Sequence, residues 1–168
     1  RTSKKVDAAP DLTPRQIAEK ALYSDKKTGH LYLPSAYLNS AFKECSSNYK
    51  NASSGRKSIK AIAGGIFRVI DPCVWLTEKK EKNITDWEVD IQKGTNHKAG
   101  AVAVCRPRID IWRAVFNVAI DESLIHPLMA LQILEDAGRM SGIGSFRVSK
   151  GGHYGQFKVI GFKELTEL

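Results

Sequence analysis

The chain has 168 residues and carries 26 Lys or Arg against 18 Asp or Glu, which gives a formal net charge of +8 at pH 7. This length suits one domain, or one domain with an insertion, and is sufficient to bury an apolar core. The positive charge favours an anionic partner, of which nucleic acid is the commonest. No apolar run approaches 18 residues, so we expect neither a transmembrane helix nor a membrane partner.

The cysteine content bears on the cellular compartment. The three cysteines, Cys45, Cys73 and Cys105, are an odd number and include no C-x-x-C pair. This pattern argues against a disulfide framework and against a zinc site, and it is typical of a reducing compartment. We therefore predict a cytoplasmic protein without a metal or other cofactor.

The first part of the chain predicts a tail followed by two helices and a strand. Residues 1–12 are expected to be disordered or loosely docked. A Thr-Pro pair predicts a helix over residues 13–22, because Thr caps helices and Pro suits their first position. A turn at 24–29 and a strand at 30–33 follow. Pro34 and Ser35 open a second helix, whose core-facing stripe at helical spacing is Leu38, Ala41, Phe42 and Cys45.

The middle of the chain predicts strands separated by polar segments. The segment 46–57 is a loop by composition, and 77–85 is an exposed charged insertion. Alternation of apolar and polar residues indicates half-buried strands. The predicted strands are 66–70, 87–92, 101–105 and 111–120; in the second of these Trp87, Val89 and Ile91 share a face, and in the last Trp112, Ala114, Phe116, Val118 and Ile120 share a face.

Near the C-terminus, Pro127 opens the most regular predicted helix, which His126 would cap. Glu135 and Arg139 have the spacing of a helical ion pair. The apolar residues Leu128, Leu131, Ile133, Leu134 and Ala137 would cover the rest of this helix, and a last strand is predicted at 157–162. Together these elements predict an α+β fold over 13–168, with helices on one face of an antiparallel sheet.

Between the last helix and the last predicted strand lies the glycine-rich stretch GIGSFRVSKGGHYG. It is neither a dinucleotide-binding fingerprint nor a P-loop, because both follow a strand and open a helix. Backbone N–H groups at glycines, basic side chains and flat rings together suit a sugar-phosphate chain and its bases. The predicted contacts in this loop are Gly142, Gly144, Phe146, Arg147, Lys150, Gly151, Gly152, His153, Tyr154 and Gly155.

The order of these motifs resembles the RAMP superfamily, the CRISPR-associated RNA-binding subunits of ferredoxin-like fold. The loop has the pattern G-x-G-x(6)-G-G-x-x-G. The segment YLPSAYLNSAFKEC is similar to the family's Leu-Lys-Gly-Ala-Leu-Arg helix, with Lys43 in place of the terminal basic residue; Asn39 and Ser40 depart from the usual Lys and Gly. The ending of the chain also resembles uncharacterised phage proteins, so a phage-encoded relative is an alternative.

The resemblance implies a ferredoxin-like fold in which the loop and Lys43 line a path for single-stranded RNA. Family members bind guide RNA in multi-subunit effectors or cleave precursor RNA without metal. Our first hypothesis is an RNA-binding protein that is not a catalyst, with other ribonucleoprotein subunits as further partners. Additional RNA contacts are expected from Arg106, Arg108 and Arg113, which would otherwise form a solvated face.

Two other functions stay open at this stage. The first is a metal-independent endoribonuclease, which needs groups that transfer protons near a 2′-hydroxyl. Its candidate residues are His30, His153 and Tyr154. The second is a phage-borne interaction protein that binds or mimics a host complex.

Overall fold

The computed structural model describes residues 12–50, 57–79, 81–96 and 100–165. Within these ranges the protein is α+β, and it divides into a first unit of Arg1–Tyr32 and Trp75–Ala114 and a second unit of Leu33–Val74 and Val115–Leu168. The predicted tail lies outside the described residues except for Leu12. In chain order the elements are α1 (Pro14–Glu19), β1 (Tyr32–Pro34), α2 (Ser35–Cys45), α3 (Ala63–Ile66), β2 (Phe67–Val69), β3 (Cys73–Trp75), β4 (Glu88–Asn96), β5 (Gly100–Arg108), β6 (Val118–Ile120) and α4 (Pro127–Asp136).

The strands form three two-stranded sheets, β1 with β3, β2 with β6, and β4 with β5. The last two pairs are antiparallel. In the first unit, β4 and β5 make a ribbon in which Glu88 faces Arg108 and Asp90 faces Arg106. The helix α1 packs against both of these strands.

The first unit confirms one sequence prediction, the cap of α1, and contradicts another, the alternation along β4. Thr13 does cap α1, in a reciprocal pair of hydrogen bonds with Gln16, although the helix ends at Glu19 and not at residue 22. The predicted alternation along β4 is wrong at Ile91, whose side chain is 55% exposed. Because α1 has six residues, it spans about 9 Å and covers only part of a nine-residue ribbon.

The core of the second unit confirms the apolar stripe predicted for α2. All four stripe residues are buried, and the Phe42 ring stacks on Phe67 with 4.2 Å between ring centroids. The helix α2 packs against α4, whose buried residues are Ala130, Ile133 and Leu134. Leu128, in contrast, is 65% exposed, because it lies four and seven positions before the polar Gln132 and Glu135 on the same helix face.

After α4 the helix continues as one π-helical turn, Ala137–Ser141, which we call the π turn. Arg139 on this turn pairs with Asp136 at 2.6 Å, so the predicted pair with Glu135 is wrong. Asp136 and Arg139 are three positions apart, which also makes their side chains neighbours on a helix surface. His126 caps α4 as predicted, with Nδ1 accepting a hydrogen bond from the Leu128 N–H at 3.2 Å.

Two predicted strands are wrong in extent. Of residues 111–120 only β6 joins a ladder, because its partner β2 is three residues long. The alternation of exposure is nevertheless present, with Trp112 and Phe116 half-buried and Val115 90% exposed. The segment 157–162 joins no ladder among the described residues; the Phe157 N–H donates instead to the Gly138 carbonyl on the π turn at 3.1 Å.

Candidate functional site

The glycine-rich loop, residues 142–155, follows the π turn and folds back on itself. The Ile143 N–H donates to the Gly155 carbonyl at 2.8 Å, and the Tyr154 N–H donates to the Phe146 carbonyl at 3.1 Å. A further bond runs from the Gly152 N–H to the Arg147 carbonyl at 3.1 Å. These bonds brace the two arms of the loop against each other without a strand ladder.

Two different structural requirements explain the glycines of this loop. A Cβ added at Gly155 would lie 1.8 Å from the Ile143 carbonyl oxygen, and one at Gly152 would lie 2.0 Å from the Phe146 carbonyl oxygen. At these positions glycine permits the close contact between the arms. Gly142 also faces the opposite arm, 3.1 Å from the Gly155 carbonyl oxygen. Gly144 and Gly151 have open space around them, and it is their positive φ angles that favour glycine.

Three rings of the loop form one cluster, which we call the loop ring cluster. The Phe146 centroid lies 5.5 Å from that of His153 and 6.0 Å from that of Tyr154, and the His153 and Tyr154 centroids are 4.4 Å apart. His153 is exposed, whereas Phe146 and Tyr154 are half-buried. The predicted aromatic contacts are therefore brought together on one surface.

Arg147 points toward the protein and not along the surface of the loop. Its Nη1 donates to the Gly144 carbonyl at 3.0 Å, and its Nε donates to the Ser149 hydroxyl at 3.0 Å and lies 3.6 Å from the Glu44 carboxylate. The side chain is 26% exposed. Lys150 and Lys43, in contrast, are exposed. Of these three predicted basic contacts, the two lysines are therefore the ones with open access to solvent.

Glu44, at the end of α2, holds the loop to the helix. Its carboxylate accepts a hydrogen bond from the Ser141 hydroxyl at 2.7 Å in addition to facing Arg147. Burial raises the pKa of the Glu44 carboxyl, but hydrogen bonds from Ser141 and Ser149 and the positive charge of Arg147 outweigh it and hold the pKa below the ordinary 4.5. Glu44 could not be predicted from the sequence, because nothing in the spacing of residues connects α2 with a loop about a hundred positions later.

The backbone amides of one arm remain available to a ligand. From Gly144 to Phe146, no backbone N–H donates to an acceptor in the part of the chain that the structure describes, whereas Arg147 and Tyr154 form a backbone bridge. Ser145 and Ser149 are exposed, and the residues between them are half-buried. Successive backbone N–H groups of this kind suit an anionic oxygen, although they are uncharged.

The predicted basic residues of the first unit are in a different environment. Arg108 pairs with Glu88 at 2.5 Å and with Asp110 at 2.8 Å, and Nη1 of Arg106 donates to the carbonyl of Cys105 at 3.0 Å. Arg113 pairs through its backbone with Thr77. The charge of Arg108 is thus balanced within the ribbon.

The candidate nuclease residues are divided between the units. His153 and Tyr154 belong to the loop ring cluster, whereas His30 belongs to the first unit, where its Nδ1 lies 3.1 Å from the Asn83 side-chain nitrogen. Over the described residues there is no group of three His, Cys, Asp or Glu side chains that could hold a metal ion. The same ranges contain no helix that combines the length and the apolar character needed to cross a membrane.

Comparison of the chain with protein-family models, with curated proteins and with solved structures finds no match.

Proposed function

We propose that this protein binds single-stranded RNA through the glycine-rich loop. The observation that supports this function best is the loop ring cluster, in which Phe146, His153 and Tyr154 gather on a loop braced by its own backbone. Aromatic rings stack on unpaired bases, and a loop that is already ordered loses little conformational entropy on binding. The net charge of +8 favours the approach of a polyanion.

Within this proposal the phosphates are bound by the exposed lysines Lys43 and Lys150 and by the free N–H groups of residues 144–146. Arg147 has the role of a brace, because it already interacts with Glu44, Ser149 and the Gly144 carbonyl. This division separates groups that contact RNA from groups that shape the loop.

The ferredoxin-like fold and the role as a subunit of a CRISPR effector belong to the proposal as well. They depend on the resemblance of the loop and of the α2 segment to the RAMP superfamily. The resemblance also supplies the preference for RNA over DNA, since stacking on rings is common to both.

The test is a salt titration of binding, followed by the fluorescence anisotropy of a labelled single-stranded RNA. We expect the affinity to fall as salt rises, with a slope of about −0.7 per phosphate neutralised. Lys150→Ala should flatten this slope by about one unit or less, and Arg147→Ala should change it less. Tyr154→Ala should weaken binding by roughly 5- to 150-fold with nearly the same slope.

Lys79→Ala is the matched control, because it removes an exposed lysine of the first unit. A wild-type protein that binds neither RNA nor DNA at low salt would contradict the proposed function. The glycines would then serve the packing of the loop alone, and the interaction with another protein would become the preferred hypothesis.

A metal-independent endoribonuclease is the second candidate, and the 4.4 Å between the rings of His153 and Tyr154 favours it. Two titratable side chains this close could share proton transfer at one 2′-hydroxyl. Incubation of labelled RNA with chelator present, with wild type, His153→Ala and His30→Ala, tests it. We expect no cleavage; cleavage that His153→Ala or His30→Ala abolishes would establish the nuclease instead.

A further inference from the structure

The first unit carries a second group of rings, two of which flank the segment that contains His30. The Tyr32 centroid lies 5.9 Å from that of Tyr23 and 5.4 Å from that of Trp75, at interplanar angles of 51° and 67°. We call these three rings the Tyr-Trp platform.

The strands explain why the rings face outward. Leu31 and Leu76 are 1% and 2% exposed, and backbone hydrogen bonds connect them to each other and to Ile84. Because side chains alternate across a strand, Tyr32 and Trp75, each next to one of these leucines, project to the opposite face. The Tyr32 N–H donates to the Tyr23 carbonyl at 3.1 Å, which brings Tyr23 onto that face as well.

The platform is unusually open for residues of this kind. Trp75 is 42% exposed and Tyr23 is 41% exposed. Trp is a residue that folded proteins bury to a large extent, because its ring removes much apolar surface from water. Large rings left in solvent next to each other are typical of a binding surface.

Charge indicates what kind of ligand would cover the rings. Tyr23 and Tyr32 are joined by a tight turn in which the Asp25 carboxylate accepts bonds from the N–H groups of Lys27 and Thr28 at 2.9 and 2.8 Å. Lys26 and Lys27 on this turn are exposed, and neither forms an ion pair within the described residues. Rings with two adjacent free ammonium groups complement a base together with its phosphate. A polyproline segment would also fit the rings, but it would gain nothing from the lysines.

We propose that the Tyr-Trp platform is a second binding site for unpaired bases, with Lys26 and Lys27 as its phosphate contacts. This inference rests on the proposed function, because it extends the same class of ligand to the first unit. The ligand is a single strand, since paired bases do not present their faces to side chains.

The experiment uses the emission of Trp75 in the full chain. A Trp87→Phe/Trp112→Phe variant leaves Trp75 as its single tryptophan. We expect a single-stranded oligouridylate to quench its emission in a saturable manner, because stacking of a base on the indole ring quenches fluorescence. Trp75→Leu and Tyr23→Leu should weaken binding by roughly 5- to 150-fold while circular dichroism stays that of the wild type. Lys26→Gln/Lys27→Gln should flatten the salt slope by about one unit.

The outcomes separate the two sites. Binding detected by anisotropy with unchanged Trp75 emission would overturn the platform and leave the loop intact. Quenching that persists at full affinity in Tyr154→Ala/Lys150→Ala would support the platform and overturn the loop. Quenching by a polyproline peptide but not by the oligouridylate would identify a different ligand for the platform and overturn this inference. The absence of any RNA binding would overturn both sites.

Discussion

The ribbon of β4 and β5 and the glycine-rich loop are both ordered, but different interactions order their backbones. Each carries an arginine near a carboxylate, Arg108 with Glu88 at 2.5 Å and Arg147 with Glu44 at 3.6 Å. The ribbon is ordered by a continuous antiparallel ladder from Glu88 to Asn96. The loop has no ladder and is ordered by close backbone contacts that only glycine permits. The stability of the ribbon is therefore distributed over many backbone hydrogen bonds. The stability of the loop depends instead on a few glycine positions.

The largest expected effect is at Gly155. In Gly155→Ala the new methyl group would lie 1.8 Å from the Ile143 carbonyl oxygen at a φ of +75°. We expect the free energy of unfolding to fall by roughly 2–5 kcal/mol, from the clash and from the left-handed backbone together. Urea denaturation followed by circular dichroism measures this loss.

Gly151→Ala is the matched control in the same loop. Its φ of +77° is nearly identical, but nothing lies within 4 Å of an added Cβ. We expect this variant to lose only about 1–2 kcal/mol. Equal losses in the two variants would mean that the contact between the arms does not contribute to stability, and the contrast with the ribbon would no longer hold.

A smaller effect is expected at Glu44, which connects the loop to α2. Glu44→Gln weakens the hydrogen bond from Ser141 and removes the partner charge of Arg147, so we expect a loss of about 1 kcal/mol near neutral pH. Since the pKa of the Glu44 carboxyl is lowered in the folded protein, its contribution is complete above 4.5 and is lost as the pH falls below that value.

The measurement is the free energy of unfolding of wild type and Glu44→Gln between about pH 7 and pH 3. The difference between the two proteins should shrink as the pH falls through the acidic range. A difference that stays constant with pH would show that the charge of Glu44 has no part in holding the loop.

The smallest effect is expected in the ribbon. Glu88 is 71% and Arg108 is 33% exposed at the side chain, so solvent screens their attraction. A double-mutant cycle with Glu88→Gln and Arg108→Gln should give a coupling of about 0.2–1 kcal/mol. A coupling as large as the loss in Gly155→Ala would contradict the view that the ribbon distributes its stability over the ladder.

Periodicity in the sequence was sufficient to predict the contribution of α2 to the core of the second unit. The stripe on α2 is a local property of one helix, and the caps at Thr13 and His126 depend on neighbouring residues only. Strand extent was harder to predict, because a strand ends where its partner ends, as at β6. Partner strands are distant in sequence. The pattern of residues 111–120 could therefore indicate which side chains alternate, but not which backbone groups form hydrogen bonds.

The candidate site was predictable in composition but not in geometry. The rings of Phe146, His153 and Tyr154 could be identified from their place among the glycines. The inward direction of Arg147 could not, because it depends on Glu44 in α2. The Tyr-Trp platform was missed since Tyr23, Tyr32 and Trp75 become neighbours only through strand pairing.

The division of the second unit into two chain segments has a consequence for protein synthesis. The apolar stripe of α2 lies in the first segment, but α4, which covers part of it, lies in the segment that begins at Val115. At 5–20 residues per second, a ribosome that has finished α2 needs about 4–16 s to reach α4. The first unit is complete as soon as Ala114 has emerged, while the surface of α2 that α4 covers is still exposed. During translation, chaperone binding or aggregation should therefore begin at α2, and premature termination before Pro127 would make that exposure permanent.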